Sequence, residues 1–294
     1  MITTERPETT VTEVAATKTV LITGASSGIG LAAAIGAAKA GWHAVATMRD
    51  PAKASALRTA AADAGVAERI EVERLDVVDP ASVTQCLDRV IATHGRLDAL
   101  VNNAGAGRLG TIEVADMQAY RDIMEVNYFG VVQTTKAAMP HLRAARGRVI
   151  TVTSVGGVVG QPFNEAYCAA KFAVEGFMES LAPVAGTVGV SVTVIEPGAV
   201  TSEFVANQRL DVPALLAEVG PYAPALQAYI DRARKSFSAA QSSQEAAASI
   251  VAALTADRPA FRIQTSDAAR DFVGVKLADL DGSAVQDLTE TWVH

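Results

Sequence analysis

The sequence predicts a single α/β domain built on a doubly wound sheet of about seven parallel strands flanked by helices. Three observations predict it. Short β-branched runs alternate with Ala-rich stretches of helical length, the rhythm of βαβ units. The first of these runs passes straight into a glycine-rich turn, TGASSGIG at 23–30, and then into a helical stretch. With 294 residues, 50% of them hydrophobic, the chain can bury one large core.

In chain order the strand candidates are TVLIT (19–23), HAVATM (43–48), RIEVERL (69–75), LDALVN (97–102), GRVITVTS (147–154), VSVTVIE (190–196) and AFRIQ (260–264). Helices are expected at about 28–40, 52–64, 80–94, 117–144, 164–187 and 244–255. Asp50-Pro51 and Asp79-Pro80 each read as an N-cap followed by a first-turn proline. The segment 201–243 carries Pro213, Pro221 and Pro224 and no clear strand, which suggests an inserted helical lid over a pocket. Residues 1–17, rich in Thr and Glu, read as a flexible leader, and 18–294 as one domain including lid and C-terminal extension. The extension from 265 is left with two roles, covering the pocket or blocking one packing edge.

The net charge of −7 and the lack of a basic block argue against a nucleic-acid partner, since phosphate binding needs clustered Lys and Arg. No apolar run reaches the ~18 residues of a membrane span, and the N-terminus lacks the apolar core of a signal peptide. Cytoplasmic location is the expectation. Two cysteines, Cys86 and Cys168, make no disulfide framework. The four histidines, His43, His94, His141 and His294, include no pair at ligand spacing, so no metal site is expected.

TGASSGIG follows a strand and opens a helix, where a glycine-rich turn can hold a pyrophosphate on free backbone N–H groups. Gly24 permits the tight turn, Gly28 lets backbone approach the phosphates, and Gly30 allows close helix-to-strand packing. Ser26 and Ser27 add hydroxyls to the loop, Ser26 toward a 2′-phosphate. In a Rossmann-like fold the second strand ends near the adenosine ribose, where an acid selects NAD and an Arg accommodates NADP. Here Met48 is followed by Arg49, while Asp50 already has a helix to cap; the choice falls on NADP(H).

YCAAK at 167–171 places Tyr167 and Lys171 on one helix face. A phenol needs about 4 kcal/mol of differential stabilisation to titrate near pH 7, and an ammonium about 4 Å away supplies up to ~4 kcal/mol at an effective dielectric of 20. Lys171 is therefore expected to lower the Tyr167 pKa. Ser154 ends a strand thirteen residues earlier, at the carboxyl edge where open α/β sheets bind ligands. Asn127, in the middle of a helix, asks for a reason. It is either a water-mediated proton path to Lys171 or a simple buried hydrogen bond. Glu175 and Glu179, beyond Lys171 on its helix, read as solvent-exposed by default, with a helix–helix contact in an oligomer as the alternative. Phe163, Phe204, Tyr222 and Phe237 are candidates for an apolar pocket.

TGASSGIG, NNAG at 102–105, Asn127, Ser154, YCAAK and Pro197-Gly198, in this order and spacing, resemble the short-chain dehydrogenase/reductase family over about residues 18–265. SVGGVVGQPFNEAYCAAKFAVEGFMESLA and ATMRDP look closer still to its 17β-hydroxysteroid dehydrogenase type 1 and retinol dehydrogenase branch. The resemblance implies that Tyr167 is the general acid/base, that Lys171 binds the nicotinamide ribose, that Ser154 polarises the substrate oxygen and that Asn127 holds a relay water. It further implies Asp76 and Val77 at the adenine, and Asn103, Ala104 and Gly105 along the adenosine and ribose. Ile29 would lie at the pyrophosphate and Pro197, Gly198 and Val200 at the nicotinamide. Ser202 stands where the family has Thr, next to Thr201, so either could reach the nicotinamide end. Loose alignment puts Arg232 where the steroid enzyme contacts the far end of its ligand.

The expected activity is NADP(H)-dependent interconversion of a hydroxyl and a carbonyl on a small hydrophobic, steroid-, retinoid- or lipid-like substrate, by a homodimer or homotetramer. Two alternatives stand beside it. One is an NAD(H)-dependent dehydrogenase of a smaller alcohol or ketone; the other is a non-catalytic NADP(H)-sensing protein.

Overall fold

Thr-Val-Leu-Ile is buried at every position and forms the central strand β1 (Thr19–Ile22), as a parallel strand covered by helices on both faces must be. The chain, seen in a computed structural model that describes residues 17–206, 211–238 and 240–293, continues through α1 (Gly28–Lys39), β2 (His43–Met48), α2 (Ser55–Asp63), β3 (Ile70–Arg74), α3 (Pro80–His94) and β4 (Ala99–Asn102). Next come α4 (Met117–Met124), a π-helical turn (Glu125–Phe129), α5 (Gly130–Ala145), β5 (Arg148–Val152), α6 (Glu165–Gly186) and β6 (Ser191–Glu196). The C-terminal third adds β7 (Val200–Thr201), α7 (Glu203–Ala206), α8 (Val212–Glu218), α9 (Ala223–Ser238), β8 (Gln241–Ser242), α10 (Ser243–Thr255), β9 (Arg262–Gln264), α11 (Asp267–Leu277) and α12 (Ser283–Glu290). Apart from Thr17, the expected leader lies outside the described residues.

Seven strands pair in parallel in the order β3-β2-β1-β4-β5-β6-β9, the Rossmann-like doubly wound sheet. The winding direction reverses between β1 and β4, and ligands of such sheets bind in the crevice at that reversal. Alternate strand residues feed two cores. Val20, Ile22, Ala44, Ala46 and Ile150 pack toward α1 and α10, while Leu21, Val45, Leu100 and Val149 pack toward α3, α5 and α6. Asp50 Oδ1 accepts from Ala52 N at 3.0 Å and Asp79 Oδ1 from Ala81 N at 2.9 Å, so both Asp-Pro pairs cap the turns they precede.

The segment 201–243 is helical, but the expectation that it carries no strand is corrected: β7 pairs with β8, Val200 with Gln241 and Thr201 with Ser242. Two residues are too few for a sequence pattern, and the pairing ties together the two ends of the inserted segment. Its apolar side, Val219, Leu226 and Ile230, closes on Phe163. The C-terminal extension packs Ala269, Val273 and Val285 against Val155, Val158 and Val159, in the loop after β5. It also reaches the lid, where the Arg232 guanidinium lies 4.3 Å from the Trp292 ring centroid. Among the described residues no helix is long and apolar enough to cross a membrane.

Candidate active site

The site lies at the carboxyl ends of β1, β4, β5 and β6. Gly24 and Gly28 adopt φ of +68° and +57°, which side chains rarely tolerate, and Ser27 N-caps α1 without a side-chain hydrogen bond. The first-turn N–H groups of α1 are thus left to a ligand, as an anion at a helix N-terminus requires. A Cβ on Gly30 would collide with the Gly24 carbonyl and the Asn103 amide, so the tight packing foreseen there is present.

Asn103 does more than line the crevice. Its Nδ2 donates to the carbonyls of Thr23 (2.9 Å) and Gly24 (3.0 Å). The Thr23 hydroxyl in turn accepts from the N–H groups of Asn103 (2.9 Å) and Ala104 (3.0 Å). Thr23 therefore knots the glycine turn to the end of β4, a role that only the proximity of β1 and β4 reveals. Ile29 and Ser26 are partly buried in the same loop. Arg49 is exposed at the end of β2. Asp76 and the buried Val77 follow β3, where Asp76 Oδ1 accepts from Val78 N at 3.2 Å.

Ser202 and Thr201 part company. A Cβ on Gly28 would stand 3.3 Å from Ser202 Cβ, so Ser202 overhangs the glycine turn, whereas Thr201 is exposed and its carbonyl accepts from Ser243 Oγ at 3.0 Å. Pro197 is buried and its carbonyl accepts from Val155 N at 3.0 Å, and Gly198 abuts Ala269 of the C-terminal extension. Val200 is buried in β7.

Tyr167 sits in the first turn of α6 with Lys171 one turn on. A Cβ on Gly156 would lie 3.4 Å from both Ser154 Oγ and Tyr167 Cε1, so the serine and the tyrosine flank one point. Ser154 is fixed by the N–H of Gly156, which donates to its Oγ at 3.0 Å. Lys171 is 4% exposed; its Nζ donates to the Val152 carbonyl at 3.0 Å and lies 5.8 Å from the Tyr167 ring centroid. Gly105 faces both the Asn127 Oδ1 and the Lys171 ammonium.

Asn127 lies in the π-helical turn, fully buried, and such wide turns recur at functional sites. Its Nδ2 donates to the carbonyls of Ala106 (2.8 Å) and Ile123 (3.0 Å), and its Oδ1 accepts from Ala106 N at 3.2 Å. These contacts anchor Asn127 to the loop after β4 at Ala106 and to Ile123. Both amide hydrogens are spent on protein carbonyls.

The electrostatics correct one expectation. Burial pushes the Tyr167 hydroxyl up to about 12, and the hydrogen bond with Ser154 offsets only part of that. Burial likewise brings Lys171 down to about 8, against the pull of Glu175. The ammonium is held by the Val152 carbonyl, 5.8 Å from the tyrosine ring centroid, and burial is the largest cause of the tyrosine's upward shift. Glu175, expected in solvent, is 5% exposed and pairs with Arg262 of β9 at 3.3 Å; burial pushes it up to about 7. Arg262 also meets Glu179 at 2.8 Å and Glu196 at 3.4 Å.

The four aromatic candidates separate. Phe204 lies 5.7 Å from the Tyr167 ring. Phe163 is 7% exposed and locked into the lid's core beside Tyr229. Tyr222 is exposed and donates to Glu113 at 2.8 Å, and Phe237 is exposed as well. Arg232 stacks on Trp292.

A profile of the short chain dehydrogenase family matches residues 18–213. Human retinol dehydrogenase 8 is 37% identical over 279 residues, covering 92% of this chain and 88% of its own. Human 17-beta-hydroxysteroid dehydrogenase type 1 is also 37% identical, over 90% of this chain and 82% of its own. A short chain dehydrogenase/reductase from Burkholderia phymatum, solved in complex with NAD, superposes with a TM-score of 0.78 at 25% identity, covering 91% of this chain and 95% of the other. The matched span holds both the glycine turn and the Tyr167–Lys171 helix, and the chain belongs to the short-chain dehydrogenase family of oxidoreductases, which use nicotinamide cofactors.

Proposed function

We propose that the protein interconverts a hydroxyl and a carbonyl on an apolar substrate of steroid, retinoid or lipid type, with NADP(H) as the redox partner. The observation that carries the cofactor choice is Arg49, exposed directly after β2 while the neighbouring Asp50 carboxylate is engaged by Ala52 N–H. A guanidinium in that position matches a 2′-phosphate; a ribose hydroxyl would call for a free acid. Gly24, Ser26, Ser27, Gly28, Ile29 and Gly30 would hold the pyrophosphate, with Ser202 overhanging it. Asp76, Val77, Asn103, Ala104 and Gly105 would border the adenosine side. Pro197, Gly198 and Val200 would border the nicotinamide.

When bound, the cofactor supplies or accepts the hydride. The chain's own groups handle the proton. In reduction Tyr167, a phenol at neutral pH, gives its proton to the substrate oxygen, and in oxidation it takes one back. Ser154 Oγ–H donates to the same oxygen as charge grows on it. Lys171 holds its positive charge beside Tyr167 and would bind the nicotinamide ribose hydroxyls, and Asn127 fixes the strand-to-helix loop at Gly105 and Ala106. Phe204 beside Tyr167 and the apolar lid support an apolar substrate, in keeping with the retinol and hydroxysteroid of the relatives' names. Because Arg232 is engaged by Trp292, the reading stops short of any one steroid. A homodimer or homotetramer is the proposed assembly, and the cytoplasm is the proposed compartment.

Titration with NADPH and NADH by nicotinamide fluorescence, for the wild type and Arg49→Ala, tests the cofactor choice. NADPH binding that collapses in the variant supports it. Equal or tighter NADH binding would instead favour an NAD(H)-linked enzyme acting on smaller alcohols.

A further inference from the structure

We propose that His43, Glu71 and His94 form a binding site for a divalent transition metal of the zinc type, at the edge of the sheet opposite the active site. His43 opens β2, Glu71 lies in β3 and His94 ends α3. Glu71 pairs in register with Val45, two residues on from His43, so His43 and Glu71 project from the same sheet face. Val45 on that face packs in the same core as Val90 of α3, and the end of α3 therefore falls beside them. His43 and His94 lie far apart in the chain, and only the fold brings them together.

The donor geometry fits a metal. His94 Nε2 lies 2.8 Å and His43 Nε2 3.7 Å from the same oxygen, Glu71 Oε2, and one ligand atom from each of the three residues lies within 4.8 Å of the others. Around a tetrahedral zinc with ligands at about 2.0–2.2 Å, donors stand about 3.3 Å apart. The two measured separations straddle that value, and the third pair, within 4.8 Å, would close by side-chain rotation.

His43 Nε2 provides the second argument. It is shielded from solvent and finds no hydrogen-bond partner among the described residues; 3.7 Å is too long for one to Glu71. A buried imidazole nitrogen without a partner is unfavourable, and a coordinated cation would satisfy it. A plain His–carboxylate pair accounts for His94 and leaves His43 unexplained. Two imidazoles and one carboxylate select zinc and its neighbours over calcium or magnesium, with water in the fourth position. The ion would pin β2, β3 and the end of α3 together.

The test uses the full-length, untagged protein, stripped with chelator and titrated with Zn²⁺ by calorimetry, with Co²⁺ added separately to read coordination from visible absorption. One zinc per chain is expected, with a zinc-dependent rise in Tm and intense tetrahedral-type cobalt bands. His43→Ala and His94→Ala should each weaken zinc binding by about tenfold or more, since even partners of metal ligands have effects of that size, while His141→Ala should not. Absence of saturable zinc binding, or affinity unchanged in both His variants, would overturn the proposal. If a variant does not fold, the wild-type cobalt spectrum decides: bands of six-coordinate, aqueous type would refute the site.

Discussion

The Lys171 ammonium hangs over the Tyr167 ring, 5.8 Å from its centroid, on a 3.0 Å hydrogen bond to the Val152 carbonyl. Lys171 is a charge that the fold tolerates for the sake of the site. Its pKa, lowered to about 8 by burial, lies below the ordinary 10.5. The folded state therefore carries a full burden of roughly 3 kcal/mol below pH 8, relieved as pH rises toward 10.5. Lys171→Met should be inactive yet more stable in urea at pH 7, by up to about 3 kcal/mol, with the gain fading above pH 10. Equal stability of the two proteins at pH 7 would show that the buried ammonium is fully compensated.

Tyr167, pushed up to about 12, is a phenol across the physiological range. Reduction needs the phenol and oxidation the phenolate. Below pH 12 the phenolate fraction grows tenfold per pH unit, so alcohol oxidation should accelerate from pH 6 to 8, where Lys171 keeps its charge, while ketone reduction stays nearly flat. Initial rates in both directions across that range check this; an oxidation rate independent of pH would contradict it.

Glu175 is protonated more readily in the folded chain, at about 7 instead of 4.5, because burial outweighs Arg262. Its folded pKa is raised, so the native state binds the extra proton between pH 4.5 and 7, and stability falls as pH rises through that window. Glu175→Gln should flatten this dependence and be more stable than the wild type at pH 8, by at most about 3 kcal/mol. Urea unfolding at pH 5 and pH 8 measures it, and an unaltered slope in the variant would count against the buried charge.

Gly28→Ala should weaken cofactor binding by more than it lowers Tm. A non-glycine residue at φ +57° costs roughly 1–2 kcal/mol, and the new methyl would press on Ser202 Cβ at 3.3 Å, narrowing the space above the α1 N-terminus. Cofactor titration beside thermal melting separates the effects. Unchanged affinity would move the pyrophosphate away from this turn.

Much of this was legible in the chain. Parallel strands buried on both faces are apolar runs, which made β1, β2, β4, β5 and β6 readable; the half-buried edge strands β3 and β9 were read from their β-branched residues and the βαβ rhythm, and Tyr167 and Lys171 share a helix face by spacing alone. What escaped depends on residues far apart in sequence. Glu175 looked solvated because its partner Arg262 comes 87 positions later. Nothing near Thr23 in sequence shows that its hydroxyl receives the N–H groups of Asn103 and Ala104. The two-residue β7–β8 pair carries no periodicity. The upward shift of Tyr167 came from burial, which spacing does not disclose, while the attraction of a nearby ammonium was the only part that spacing suggested.

The central claim is that Tyr167 carries the proton for a nicotinamide-linked reaction at this site. The most direct measurement is turnover of an apolar ketone by NADPH for the wild type and Tyr167→Phe, with NADPH affinity measured on both. The account predicts unchanged affinity and a loss of kcat of about 10²–10⁴-fold, the range of general acid catalysis. A variant that binds NADPH and turns over at the wild-type rate would contradict it.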